Sequence, residues 1–144
     1  MRITWQPGEL AFRAVLVAGL LYGVIGLAFG TAAAGAVTTQ GRFGWRLAAW
    51  VVSAVVFAAH IAYLQLRTRL RPLPVFTALQ ASFGAALGAL VLAVAATIHA
   101  LWVGASNVGA FGLALVVWPA ATAVPAFVAA LVAAAALTLL RPRV

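Results

Sequence analysis

His60 and His99 are the only histidines in the chain, Glu9 is its only carboxylate, and nine arginines stand without a single lysine or aspartate. Imidazoles inside long apolar runs are candidates for function, because an ionisable group in hydrocarbon is costly to keep. Two of them raise bis-imidazole haem or metal ligation. Depth speaks against one shared site. In antiparallel neighbouring spans His60 falls about six residues from one membrane face and His99 about four from the other, a separation of roughly 15–20 Å along the normal. Pairing of either histidine with its own copy across a dimer stays open. Otherwise each is a neutral imidazole hydrogen-bonded to a hydroxyl or a backbone carbonyl. His60 and His99 are thus the weak cofactor-binding candidates, while no cofactor and no metal site is expected.

The remaining reactive types form no catalytic constellation. Glu9 and Arg13 stand four apart after Pro7 and Gly8, which reads as a helix start with an ion pair in the favourable order. Ser53 and His60 share a helical face but lie two turns, roughly 10 Å, apart, so they are no nucleophile and base on that helix. The absence of cysteine removes disulfides, thiolate catalysis and cysteine-ligated zinc. Paired aspartates, a zinc motif, a P-loop and a dinucleotide fingerprint are lacking too, so enzymatic activity is not expected. No span carries Asp, Glu, Lys or an arginine near mid-depth, which argues against proton-coupled carriers and ion pumps. Tyr22, Ser53, Tyr63, Gln65, Gln80, Ser82, Thr97 and Thr122 are expected to hydrogen-bond between helices, with Tyr22 pointing into the bundle.

The segment His99-Ala100-Leu101-Trp102-Val103-Gly104 faintly resembles the His…Trp-x-Gly pattern of the membrane-embedded copper-resistance family and related cytochrome b-like bundles. It covers six residues. The histidine-to-tryptophan spacing is short, and neither acidic nor methionine-rich copper ligands accompany it, so no functional residue is carried across.

The elements that must position these groups follow from composition. The 144 residues are 67% hydrophobic and 7% charged, with 36 alanines and a mean hydropathy of +1.17. Soluble domains are about a quarter charged. This chain cannot cover a water-facing surface, which excludes a soluble domain, a disordered tail and a nucleic-acid-binding groove despite a net charge of +8. Arginine in place of lysine, with abundant alanine, resembles the coding bias of a GC-rich bacterial genome.

A crossing needs roughly 20 apolar residues. The runs between the arginines give one transmembrane domain over 1–144: an all-α, four-helix membrane bundle with short loops and spans about 10–30, 45–66, 76–103 and 119–140. The last apolar stretch, 108–140, would measure roughly 50 Å as one helix. It is therefore expected to be broken near Pro119 and Pro125, leaving 108–117 as an interfacial or re-entrant helix. A single tilted helix kinked at either proline is the alternative. A cleaved signal peptide ending near Thr31 to Ala36 is a competing reading of the first run, which is longer than a usual signal core.

Short cytoplasmic loops hold the excess of positive charge. With the N-terminus inside, Arg2, Arg13, Arg67, Arg69, Arg71, Arg141 and Arg143 are cytoplasmic and only Arg42 and Arg46 lie outside. Trp45, Trp50, Trp102 and Trp118 then gather at the outer interface, as an aromatic belt would. The expected location is a bacterial inner membrane with both termini cytoplasmic. Arg67, Arg69, Arg71, Arg141 and Arg143 are topology determinants and candidates for lipid-headgroup contact.

Small residues mark the packing faces. Gly19, Gly23, Gly26 and Gly30 recur at intervals of 4, 3 and 4 on one stripe, and Gly84 and Gly88, with Ala81 and Ala95, repeat it more weakly. Such stripes let backbones approach closely, which drives helix association in lipid. The leading expectation is a structural, accessory or self-assembling subunit of a membrane complex. The alternatives are an oligomeric channel or facilitator for a neutral or anionic solute, using the proline-broken segment, and a dimeric haem protein.

Overall fold

The computed structural model describes residues 7–67, 73–104, 106 and 108–140, with the side chains of 7–11, 66, 67 and 108 left undescribed. Four long helices account for nearly all of it: α1 (Pro7–Gly35), α2 (Thr39–Arg67), α3 (Pro74–Trp102) and α4 (Val108–Leu139). All four are long and apolar enough to cross a membrane. At 1.5 Å per residue each measures roughly 43–48 Å, enough to pass through the hydrocarbon and into the headgroup region.

Helix ends are set by local chemistry. The α1–α2 hairpin turns within Ala36 to Thr38. Thr38 caps α2 by accepting a 3.0 Å hydrogen bond from the Gly41 amide at its Oγ1, the usual work of a threonine at that position. Arg42 Nε donates to the Ala36 carbonyl across the turn at 3.1 Å. Phe29 and Trp45 then make a tilted ring contact, 5.9 Å between centroids and 58° between planes, where α1 and α2 meet. Pro74 opens α3 in its first turn, where a missing N–H costs nothing. At the other end Gly104 adopts φ +65° and closes α3, its amide donating to the Leu101 carbonyl at 3.3 Å.

The last helix differs from the expected broken segment. α4 runs without interruption from Val108 to Leu139, with Pro119 and Pro125 inside it, so 108–117 is not a separate element. In lipid an irregular stretch would expose several backbone groups to hydrocarbon, whereas a proline inside a helix leaves one carbonyl without its usual donor. Continuing the helix is the lesser cost. The extra length beyond a minimal span is taken up by tilt or by extension into the headgroups.

Helix α3 is the hub. It packs along α1 and along α4, α1 also packs along α2, and α1 and α4 do not touch. Accordingly 33% of the most apolar window of α3 is buried, against 17%, 17% and 11% for α1, α2 and α4. What α3 buries is small: Thr77, Ala78, Ala81, Ser82, Gly84, Gly88, Ala89, Ala93 and Ala100. Large apolar side chains such as Phe12, Val24, Trp50, Phe83, Val116 and Val132 face outward. That distribution suits a bilayer, where lipid solvates leucine as well as protein does and close backbone approach holds helices together. Helix α2 meets the other two near its C-terminal end, where Phe57 and Ile61 join Ala78, Ala81, Phe127, Ala130 and Leu131 in the apolar core.

Candidate functional site

The seam between α1 and α3 is built by reciprocal notching. A β-carbon at Gly19 would stand 2.6 Å from Leu87, one at Gly23 2.7 Å from Val91, and one at Gly26 2.6 Å from Leu92. Side chains of α3 therefore fill the notches that the α1 glycines leave. The converse holds nearer the start of α3: a β-carbon at Gly88 would meet the Tyr22 β-carbon at 2.5 Å and the Gly19 carbonyl at 3.2 Å. At Gly84 it would meet His60 Cε1 at 3.3 Å, the Ala18 β-carbon at 3.4 Å and the Val15 carbonyl at 3.6 Å. Gly30, the fourth member of the α1 stripe, has nothing within 4 Å of that position. The stripe is thus spent inside the protomer as far as Gly26, and Gly30 is outside the contact.

His60 is held where α2 leans against this seam. It is 7% exposed, and neither Nδ1 nor Nε2 has a hydrogen-bond partner among the described residues. The Tyr22 hydroxyl, one turn further along the seam, is buried and unpartnered in the same way. His99 is exposed in the last turn of α3. Because His60 lies against Gly84, fifteen residues before His99 on α3, the two imidazoles are roughly 22 Å apart along the helix. The structure does not bring them together. It also encloses the His60 ring within the protomer, where a second copy has no direct approach to its nitrogens.

Most other span hydroxyls turn back on their own helix. Ser82 donates to the Leu79 carbonyl at 2.9 Å, Thr97 to Ala93 at 2.7 Å and Thr122 to Trp118 at 2.8 Å. This differs from the interhelical bonding expected of them. A helical Ser or Thr has a carbonyl within reach one turn back, so it needs no neighbour. Thr97 also reaches across to the Phe111 carbonyl of α4, at 3.4 Å. One buried cross-helix polar contact is half visible in the sequence: Gln65 Nε2 donates to Thr77 Oγ1 at 3.0 Å, both residues being 1% exposed. Thr77 stands just after Pro72 and Pro74, where a hydroxyl reads as part of a turn. Its signal was position, since Thr77, Ala81, Gly84 and Gly88 repeat the 4, 3, 4 spacing of the α1 stripe.

Of the arginines assigned to lipid headgroups, Arg69, Arg71, Arg141 and Arg143 lie outside the described residues, as do the side chains of Arg67 and Glu9. Among the described residues no three His, Cys, Asp or Glu side chains gather as a metal site would require. No protein-family model, curated protein or solved structure matches this chain.

Proposed function

We propose that the chain is a structural or accessory subunit that acts by packing, against its own copies or inside a larger membrane assembly, and that it is not a catalyst. The contrast between filled and unfilled glycines carries this reading. On α1 the notches at Gly19, Gly23 and Gly26 are occupied by α3 side chains, whereas Gly109 and Gly112 at the start of α4 have nothing within 4 Å. Beside them Leu113 and Val116 are exposed. Helix α4 lies along α3 and does not reach α1, so its outer face is free to receive a partner helix by the same close approach that joins α1 to α3. The arginine distribution supports an orientation with both termini cytoplasmic, and the use of arginine to the exclusion of lysine supports a bacterial inner membrane.

The test is native mass spectrometry of the full chain, extracted in mild detergent at native abundance. Gly109→Leu and Gly112→Leu should remove a higher-mass species while helix content stays unchanged. A wild-type protein that is monomeric, with no co-purifying subunit, would sink the reading. The two alternatives have less support. A channel or facilitator for a neutral or anionic solute relied on a re-entrant break that α4 does not have. Haem bridging through His60 meets a ring enclosed in its own protomer, and a purified sample without a Soret band would dispose of the exposed His99 as well.

A further inference from the structure

We infer that the α1–α2–α3 seam around His60 and Tyr22 is an internal binding site for water. The inference does not depend on the packing role proposed above. Buried polar atoms in proteins are nearly always paired. Here His60 Nδ1, His60 Nε2 and Tyr22 Oη are buried with no protein partner among the described residues. His60 is 7% exposed and faces the notch at Gly84, while Tyr22 packs on the notch at Gly88. Those glycines bring two further polar atoms to the same strip, the carbonyls of Val15 at 3.6 Å and Gly19 at 3.2 Å from the missing β-carbons. Each carbonyl oxygen keeps a second lone pair after its helical bond. The imidazole nitrogens, the phenol and the two carbonyls are the polar groups along this strip from which a buried water would draw its 2–4 partners.

The strip is bounded at both ends. Toward the start of α3 the apolar core residues Ile61, Ala78 and Ala81 separate it from the buried Gln65–Thr77 hydrogen bond. From Gly84 to Gly88 it covers about one turn, roughly 6 Å of α3. In the opposite direction Val91 and Leu92 fill the notches at Gly23 and Gly26, and the seam becomes apolar. Tyr22 and Ala18 stand so close to α3 that little space is left beside the imidazole, which argues for water over any larger ligand, and no buried charge is present among the described groups to favour an ion.

Water-edited solid-state NMR on the full chain in lipid, labelled with ¹⁵N-histidine and ¹³C-alanine, tests this without altering the fold. Only two histidines need assignment, and His99→Gln, at an exposed position, separates them. Magnetisation from water should reach the His60 ring nearly as fast as it reaches His99, and roughly tenfold faster than it reaches the methyl of Ala130, which is 0% exposed. Transfer to His60 no faster than to Ala130 would overturn the inference. So would a direct through-space contact pairing both His60 nitrogens with protein groups.

Discussion

A β-carbon on Gly88 of α3 would stand 2.5 Å from the β-carbon of Tyr22 on α1, closer than two such carbons can come. The obstructing atom is next to the Tyr22 backbone and cannot swing aside, so Gly88→Ala must push the two helices apart. A loss of about 1–3 kcal/mol is expected, the usual cost of overpacking, read as a lowered thermal unfolding midpoint in detergent. Gly26→Ala meets the flexible tip of Leu92 and should lose less. Gly30→Ala, with open space around it, should lose nothing and gain up to about 1 kcal/mol from helix propensity. Equal losses at all three positions would mean that the notches do not set the seam.

The register of that seam can be locked covalently. The β-carbon of Ala18 lies 3.4 Å from where a β-carbon on Gly84 would be, close to the spacing of about 3.5–4.5 Å found in disulfides. The chain has no cysteine of its own, so an Ala18→Cys, Gly84→Cys double variant reports one pair without background. Mild oxidation should close an intramolecular bridge, seen as a mobility shift reversed by reductant. The pair Ala18→Cys, Ala130→Cys, on helices that do not touch, should stay reduced. The reverse result would demand a different helix order.

Much of this arrangement could be read from the residues, and the failures share a cause. Apolar runs between arginines locate four helices because only a helix hides its backbone from lipid. The same rule explains why Pro119 and Pro125 do not end α4: the punctuation they give in water weakens where the alternative is bare backbone in hydrocarbon. The Gly19, Gly23, Gly26 stripe announced a packing face, but periodicity does not say whether α3 or a second copy fills it. Size complementarity supplied that, through Leu87, Val91 and Leu92. His60 and Tyr22 were legible as polar residues within spans, while their lack of protein partners emerges only from the packing.

The Gln65–Thr77 bond makes a separable prediction. Thr77→Val keeps the shape and removes the acceptor, leaving the Gln65 amide to find another in a site that is 1% exposed. Stability should fall by about 0.5–2 kcal/mol, the range for a buried hydrogen bond within a membrane bundle. Thr77→Ser retains the hydroxyl and should recover most of the loss. If Val and Ser variants unfold alike, the methyl group and not the hydrogen bond holds α2 to α3.

The two histidines should also differ sharply toward a reagent larger than water. Diethyl pyrocarbonate acylates an imidazole nitrogen only when it can reach it, and His60 presents both nitrogens to the interior while His99 is exposed at the end of α3. Among the histidines, mass spectrometry of the folded protein should therefore record an adduct at His99 alone, and one at His60 only after denaturation. Peptide mapping assigns the site. Rapid double labelling of the folded chain would mean that α2 swings away from the Gly84 notch on the reaction timescale. The seam would then be an opening one, and the close contacts at Ala18 and Gly84 one of its two states.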